Sequence, residues 1–363
     1  MRVLFFSSDT DWTGRARAFA AAASALAARG HQVTYSCPSA SVLEQRLDHD
    51  RYQVAPLELR GPWLVRAWRL RRVLLDAFVE VVLVHGDRDQ FIGAFAARWA
   101  ERAALVRRFE HGHTARLGFG ANLALRVAAT GLLFATEEDR RRAPAVRRAR
   151  IEPAVAPLGI DSTGYDTVRA ASRASLGAAG DARLIVCAAD TRSRVRAANV
   201  LRVVKLLAPR HPELRLAFVG PGSDHEDLRM HAAALRVTPL VTFLGDRDDA
   251  HAVLRAADLV WVVAAGDDAA YAYLDAQALK VPVLAERDPV AQRFVADGIT
   301  GLLFPPGESS EMAATVARLL AHEDQRVAMG AAARARVARD FPEVEMADAL
   351  ERAVIVAGDR SRW

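Results

Sequence analysis

Short apolar runs alternate with stretches of helical period through the first half of the chain. The runs predict strands at Arg2–Ser7, Gln32–Ser36, Gln53–Leu59, Glu80–Val84, Leu105–Phe109, Gly131–Phe134 and Pro153–Pro157. Helical patterns fall at Gly14–Arg29, Trp63–Phe78, Gln90–Arg102, Asn122–Ala129 and Glu137–Arg148. Such alternation implies a parallel sheet with helices on both faces. The rhythm stops over Gly159–Ala182, a Gly-, Ser-, Thr- and Ala-rich stretch with little periodicity, as in a hinge. It restarts with strands at Leu184–Ala188, Arg215–Val219, Val241–Leu244, Leu259–Val263, Pro282–Ala285 and Gly301–Phe304. Helices are predicted at Ala197–Leu207, Glu226–Leu235, Ala250–Ala256, Ala270–Lys280 and Val290–Ala296, and from Glu308 onwards the chain is almost entirely helical.

The expected fold class is therefore α/β: two Rossmann-like doubly wound domains facing across a cleft, with a helical C-terminal tail. The expected boundaries are 1–160 for the first domain, 161–182 for a linker, 183–340 for the second domain and 341–363 for a last helix packing back on the first. Ligands of such folds bind at the carboxyl ends of the strands, here in the cleft.

Composition adds an asymmetry. The 363 residues carry 49 basic and 44 acidic side chains, but residues 1–150 hold 24 basic against 15 acidic, and the remainder is net acidic. Nearly all the basic residues are Arg, since Lys205 and Lys280 are the only lysines. Cys37 and Cys187 sit in apolar runs and read as small core residues rather than as a disulfide or zinc site. No apolar run reaches the roughly 18 residues that span a bilayer. The expectation is a cytoplasmic protein, with contact at the inner face of the membrane left open.

Asp267 and Asp275 stand out between the strand Leu259–Val263 and the next. Eight residues in a helix are just over two turns, so both acids fall on roughly one face. The N–H groups of Asp268, Ala269, Ala270 and Tyr271 at the expected helix start, with the helix dipole, suit a diphosphate. A carboxylate further in suits ribose hydroxyls. By spacing alone, Asp267 equally fits an N-cap and Asp275 a solvated face residue.

The surrounding residues resemble the retaining, family-4 type glycosyltransferases of the GT-B fold (glycosyl transferases group 1). The matching pieces are Phe218-Val219-Gly220-Pro221-Gly222, Val241-Thr242-Phe243-Leu244-Gly245, Ala256-Ala257-Asp258-Leu259, the run Asp275–Val283, and the run Asp297–Pro306. Leu158-Gly159-Ile160-Asp161 resembles the family's Asn-Gly-Ile-Asp, and Ala28–Val33 its opening. The pieces occur in the family's order over almost the whole chain.

The resemblance implies transfer of a sugar from a nucleoside diphosphate sugar to an acceptor hydroxyl with retention. The donor would lie in the second domain and the acceptor in the first, with no metal and no cofactor beyond the donor itself. The family's Glu-x7-Glu pair falls on Asp267, which would contact the sugar, and Asp275, which would hold ribose. The implied donor set is Gly14, Arg192, Arg194, Gly220, Leu244, Gly245, Arg247, Asp268, Ala269, Ala270, Tyr271 and Asp275. The leaving phosphate would take the acceptor proton, with the helix start and Arg194 stabilising the charge. The family's His at the end of the strand Leu105–Phe109, near the sugar and on the acceptor side, falls on His111, with His113 as the alternative; a solvated loop His is the other reading.

The chain departs from the family pattern beyond the shortening of both acids, and beyond Thr13 where the family has the first of two adjacent Gly. Ala189 occupies the position of its phosphate-binding Arg, and Arg194 that of its Lys. Asp268–Tyr271 replaces a Gly-rich stretch, and Arg293 stands where a Glu is frequent. These changes keep two alternatives open: a non-catalytic paralogue binding a nucleotide or a partner, and a sugar-nucleotide epimerase.

In the first half, Ser7–Gly14 joins the first strand to the first helix, with Thr13 or Asp11 as an alternative cap. Asp87-Arg88-Asp89 and Asp9-Thr10-Asp11 imitate an Asp-x-Asp metal motif, but metal binding is not the expectation. Trp63–Phe78 is basic and amphipathic. It reads either as a sheet-covering helix with a solvated Arg face or as a helix lying on an anionic membrane. Arg140–Arg142 with Arg147, Arg148 and Arg150 forms a second basic cluster with the same two readings. Neither has the interleaved aromatics of a nucleic-acid platform. The excess positive charge of the first half points to an anionic or lipid-linked acceptor.

Overall fold

The computed structural model describes residues 1–360 except 114, 115, 145, 147, 148, 191 and 192. The chain divides into two compact units, 1–159 together with the last helix, and 160–342.

The first unit runs β1 (Arg2–Phe6), α1 (Gly14–Ala28), β2 (Gln32–Ser36), α2 (Val42–Arg46), β3 (Gln53–Val54), α3 (Trp63–Asp76), β4 (Val81–Val84), α4 (Asp87–Ala100), β5 (Ala104–Arg108), α5 (Phe119–Val127), β6 (Thr130–Phe134), α6 (Glu137–Arg142) and β7 (Ala154–Val155). Its parallel sheet has the order β3-β2-β1-β4-β5-β6-β7. The second unit runs β8 (Arg183–Ala188), α7 (Arg194–Leu207), β9 (Leu214–Val219), α8 (Glu226–Ala234), β10 (Val241–Phe243), α9 (Ala250–Arg255), β11 (Leu259–Val262), α10 (Gly266–Ala278), β12 (Val283–Glu286), α11 (Pro289–Phe294), β13 (Gly301–Phe304), α12 (Ser309–Ala321) and α13 (Glu323–Asp340). Its sheet is also parallel, in the order β10-β9-β8-β11-β12-β13. The last helix, α14 (Glu343–Asp359), belongs to the first unit. Leu350, Val354 and Ala357 are buried in the core that also holds Phe5, Leu26 and Val81. Glu351 pairs with Arg29 at 2.7 Å and with His31 at 2.9 Å.

Both sheets are doubly wound, and in each the strand order reverses beside the first strand of the unit. These switch points lie between β1 and β4 and between β8 and β11, where ligand crevices of this architecture open. Central strands are apolar throughout, as burial on both faces requires: β4 is Val-Val-Leu-Val, all buried. Cys37 and Cys187 are buried free thiols, and burial pushes Cys37 up to about 12.

Several expected boundaries shift for local reasons. β3 stops at Val54 because Pro56 lacks a backbone donor. α6 ends at Arg142, since Ala143 precedes Pro144 and adopts extended ψ. Arg147 and Arg148 of the second basic cluster lie outside the described residues. α4 begins at Asp87 and α10 at Gly266, earlier than the apolar periodicity suggests. In both, two acids in the first turn favour the dipole. The segment 161–182, expected as a linker, is a packed part of the second unit. It forms 3-10 turns at Ser162–Thr167 and Arg173–Leu176 and buries Tyr165, Leu176 and Ala178. Arg173 ties it down by pairing with Asp258 at 2.9 Å.

Candidate functional site

In the second unit the carboxyl ends of β8, β9 and β11 converge on the start of α10. β8 ends at Ala188, and Val263 donates to its carbonyl at 3.0 Å. Gly220 follows β9 with φ of +113°, and a Cβ there would stand 2.2 Å from the Ala189 carbonyl oxygen. Its N–H donates to Gly245 O at 2.9 Å, so the structure brings Gly220 and Gly245 together. Gly220 is thus required by the approach of two backbone segments. Leu244 extends the β9–β10 ladder, donating to Phe218 O at 2.9 Å.

The start of α10 corrects the expected anion site. Ala265, not Asp267, is the N-cap, and Asp267 and Asp268 lie in the first turn. The outward-facing N–H groups are therefore those of Gly266, Asp267 and Asp268. Ala269 donates to Ala265 O at 3.3 Å, and Ala270 and Tyr271 fall within the helical ladder. Those three side chains are buried and pack rather than present backbone. Asp190, just past β8, accepts the N–H of Ala265 at 3.0 Å. Three carboxylates, from Asp190, Asp267 and Asp268, thus gather where the dipole favours negative charge.

Asp267 is fully buried. Asp275, two turns on, is also buried rather than solvated. Its Oδ1 accepts from the Tyr165 hydroxyl at 2.5 Å, and its Oδ2 lies 3.3 Å from His251 Nε2. The rings of Tyr165 and His251 stand 5.1 Å apart, so the three residues form one cluster.

The expected cations are placed differently. Arg194 opens α7 but pairs with Asp227 at 3.3 Å. Arg247 is held by Asp249 through bonds of 2.6 and 2.7 Å, and this pairing raises its pKa. Arg192 lies outside the described residues. Arg293 is exposed on α11.

The first unit has its own pocket, about 200 Å³, at the β1/β4 switch point. Arg15, His85, Asp87, Arg107, Glu110 and His113 are among its lining residues. Arg107 is a buried cation on β5 that pairs with Asp87 at 2.9 Å and donates to Gln90 at 3.0 Å. His113 has a lowered pKa, from burial first and then from Arg107, so it is held neutral near pH 7. His111 is buried and is not among the lining residues. Gly14 is the first residue of α1, buried, and Thr13 is the cap, accepting from Ala16 N at 3.3 Å. Asp87 also accepts from Gly118 N at 3.0 Å, whereas Asp89 turns to Ser8 N at 3.2 Å. The two acids of the Asp-x-Asp run thus serve different partners.

Residues 168–336 match the family described as glycosyl transferases group 1. That stretch lies within the second unit. The two units together have the GT-B fold. Anabaena HepE in complex with UDP and glucose superposes with a TM-score of 0.78 at 18% identity, over 98% of this chain and 99% of that one. Sucrose-phosphate synthase of Thermosynechococcus elongatus gives 0.75 at 15% identity, over 97% and 98%. A curated relative, the D-inositol 3-phosphate glycosyltransferase of Corynebacterium jeikeium, is 30% identical over 212 residues, 56% of this chain and 50% of its own length. The lipopolysaccharide core biosynthesis glycosyltransferase LpsE of Rhizobium meliloti is 25% identical over 187 residues, 52% and 54%. The chain thus spans about half the length of the curated relatives it matches.

Sequence reasoning missed Asp190, Tyr165, His251, His85 and Arg107. Three of them carried a signal. Asp190 and His85 each stand within two residues of a strand's carboxyl end, where this fold binds ligands. Arg107, with Arg108 beside it, interrupts the apolar run Leu105–Phe109, which marks buried cations in need of partners. Tyr165 and His251 carried none, because their meeting with Asp275 is purely tertiary.

Proposed function

We propose that this protein transfers a sugar from a nucleoside diphosphate to an acceptor hydroxyl with retention of configuration. One observation carries the reading. Within the stretch that matches glycosyl transferases group 1, α10 starts at the switch point with Asp267 buried in its first turn and Asp275 two turns later. In this reading the N–H groups of Gly266–Asp268 face the diphosphate and Asp267 orients the sugar. Asp275, aligned by Tyr165 and His251, receives the ribose hydroxyls. The C1–O bond to the diphosphate breaks, the acceptor oxygen bonds to C1 on the same face, and its proton passes to the departing phosphate oxygen. Neutral His113 in the pocket of the first unit accepts a hydrogen bond from the acceptor. UDP-sugars are the first donors to test, because solved structures of like fold hold UDP with glucose, or UDP-glucose.

A second reading, a non-catalytic nucleotide- or partner-binding protein, is favoured by one feature. The α10 start already carries the carboxylates of Asp190, Asp267 and Asp268, while Arg194 and Arg247 are engaged elsewhere. Release of nucleoside diphosphate from UDP-, GDP- and ADP-sugars, with and without a panel of acceptors, separates the two. Transfer from one donor that falls at least about 100-fold in Asp267→Asn supports the enzyme. Binding of a nucleotide by calorimetry without turnover of any donor supports the second reading. Transfer unchanged in both Asp267→Asn and Asp275→Asn overturns the assigned site.

A further inference from the structure

α3 carries apolar residues on two faces. The inner face, Ala67, Leu70 and Leu74, is buried in the core over β4. On the outer face Leu64, Trp68 and Arg72 recur every four residues, so they line one side of the helix over roughly 12 Å. Leu64 is 51% and Trp68 45% exposed, and the Arg72 guanidinium lies 3.7 Å from the centre of the Trp68 ring. This is neither a solvated polar face nor a scatter of single apolar residues.

The patch continues across neighbouring helices. Trp63 packs at 4.9 Å against both Phe91 and Phe95 of α4 and stands 6.3 Å from Trp99. Phe91 in turn touches α5, where a Cβ on Gly120 would lie 3.3 Å from its ring. At that start of α5, Phe119 is 88% exposed and Leu123, one turn on, is also exposed. The apolar surface therefore runs from α3 over α4 to α5. It reaches the rim of the pocket through Gly118, whose N–H is held by the lining residue Asp87.

We propose that this surface docks on an anionic lipid bilayer. Contiguous exposed apolar surface marks an interaction site, and the charge around it selects the partner. α3 has four arginines, at 66, 69, 71 and 72, and a single acid, Asp76, at its last position; Arg69 is paired with Glu58 at 3.2 Å, so Arg66, Arg71 and Arg72 carry the excess positive charge. Tryptophans at intermediate exposure, with guanidinium groups beside them, match the boundary between acyl chains and anionic headgroups. An acidic protein would satisfy the arginines but leave the aromatic chain from Trp63 to Phe119 against water. The bilayer satisfies both.

Vesicle flotation tests the proposal on the whole 363-residue chain. Phosphatidylcholine vesicles with about a third phosphatidylglycerol are compared with pure phosphatidylcholine at low and high salt. Binding is expected on the anionic vesicles, weakened by salt, with a blue shift of Trp emission. Leu64→Ser with Trp68→Ser should lower partitioning by at least about tenfold, because two apolar side chains no longer enter the interface. Phe119→Ser with Leu123→Ser should do the same from a different helix. Both pairs are exposed, and an unchanged melting temperature confirms that each variant is folded. No binding to anionic vesicles, equal binding to both compositions, or full binding by both folded double variants overturns the proposal. So does a dimer in solution that either variant dissociates, since the patch would then be covered by a second copy.

Discussion

The hydroxyl of Tyr165 donates to Oδ1 of Asp275 at 2.5 Å, joining the 3-10 turn at Ser162–Thr167 to the interior of α10. Asp275 is buried, and a buried carboxylate is stable only where its oxygens find donors. His251 supplies the second contact from α9 and keeps a half-exposed side chain. Tyr165→Phe removes one donor and leaves that oxygen buried. The expected cost is about 1–3 kcal/mol of stability, read by thermal unfolding. If Asp275 serves ribose, the variant also weakens nucleoside diphosphate binding in calorimetry. Weakened stability with unchanged nucleotide affinity would separate the structural role of the bond from the proposed one.

Gly220 gives a sharper steric test. Its φ of +113° is open to glycine, and a methyl group would collide with the Ala189 carbonyl oxygen at 2.2 Å. Neither β8 nor β9 can retreat without breaking its ladder. Gly220→Ala should therefore cost more than an ordinary left-handed substitution, about 3 kcal/mol or more. Gly298→Ala is the control: it shares a positive φ but meets nothing within 4 Å, so its cost should stay near 1 kcal/mol. Equal melting temperatures for the two variants would show that the close approach relaxes freely.

What was legible in the sequence followed periodicity. Both parallel sheets, their helices and the helical tail could be read because strands such as Val81–Val84 are apolar on both faces and helices such as α14 are not. The segment 161–182 was misread because its buried residues, Tyr165, Leu176 and Ala178, follow no helical or strand period. The start of α10 was misplaced because its first turn is Gly-Asp-Asp, polar residues that look like a loop but favour a helix N-terminus. Motif matching found Asp267 and Asp275 but not their surroundings. That Asp190 would join them, and that Arg194 would turn to Asp227, depends on where β8 and α8 pack.

The last helix is an integral part of the first unit's core. Val354 is fully buried among residues of β1, α1 and β4, whereas its neighbour Ile355 is 42% exposed. Val354→Asp places a carboxylate in that core with no cation designed for it, and should destabilise the first unit by about 3–5 kcal/mol. Ile355→Asp should change stability by no more than about 0.5 kcal/mol. Thermal unfolding followed by circular dichroism compares the two. A melting temperature unaltered by Val354→Asp would mean that α14 detaches without loss to the core.

Asp89 predicts a pH dependence of opposite sign to that of a salt-bridged acid. Burial pushes its carboxyl up to about 6; the bonds from Ser8 pull it down, Asp9 raises it further and Arg107 lowers it. Its Oδ1 finds no hydrogen-bond partner among the described residues. Below the ordinary carboxylate value, native and unfolded chains are both protonated, and burial carries no charge penalty. Between about pH 4 and 6 the unfolded chain releases a proton that the native one keeps, so stability falls as pH rises. Above pH 6 the full penalty stands, about 3 kcal/mol. Asp89→Asn is neutral at every pH and keeps an acceptor oxygen for the Ser8 N–H. It should therefore melt higher than the parent protein at pH 7.5 and about level with it at pH 4. Melting curves of the two proteins across that range check the sign directly. A variant less stable than the parent at pH 7.5, or a difference constant with pH, would mean that the ionised carboxylate is the form the fold requires.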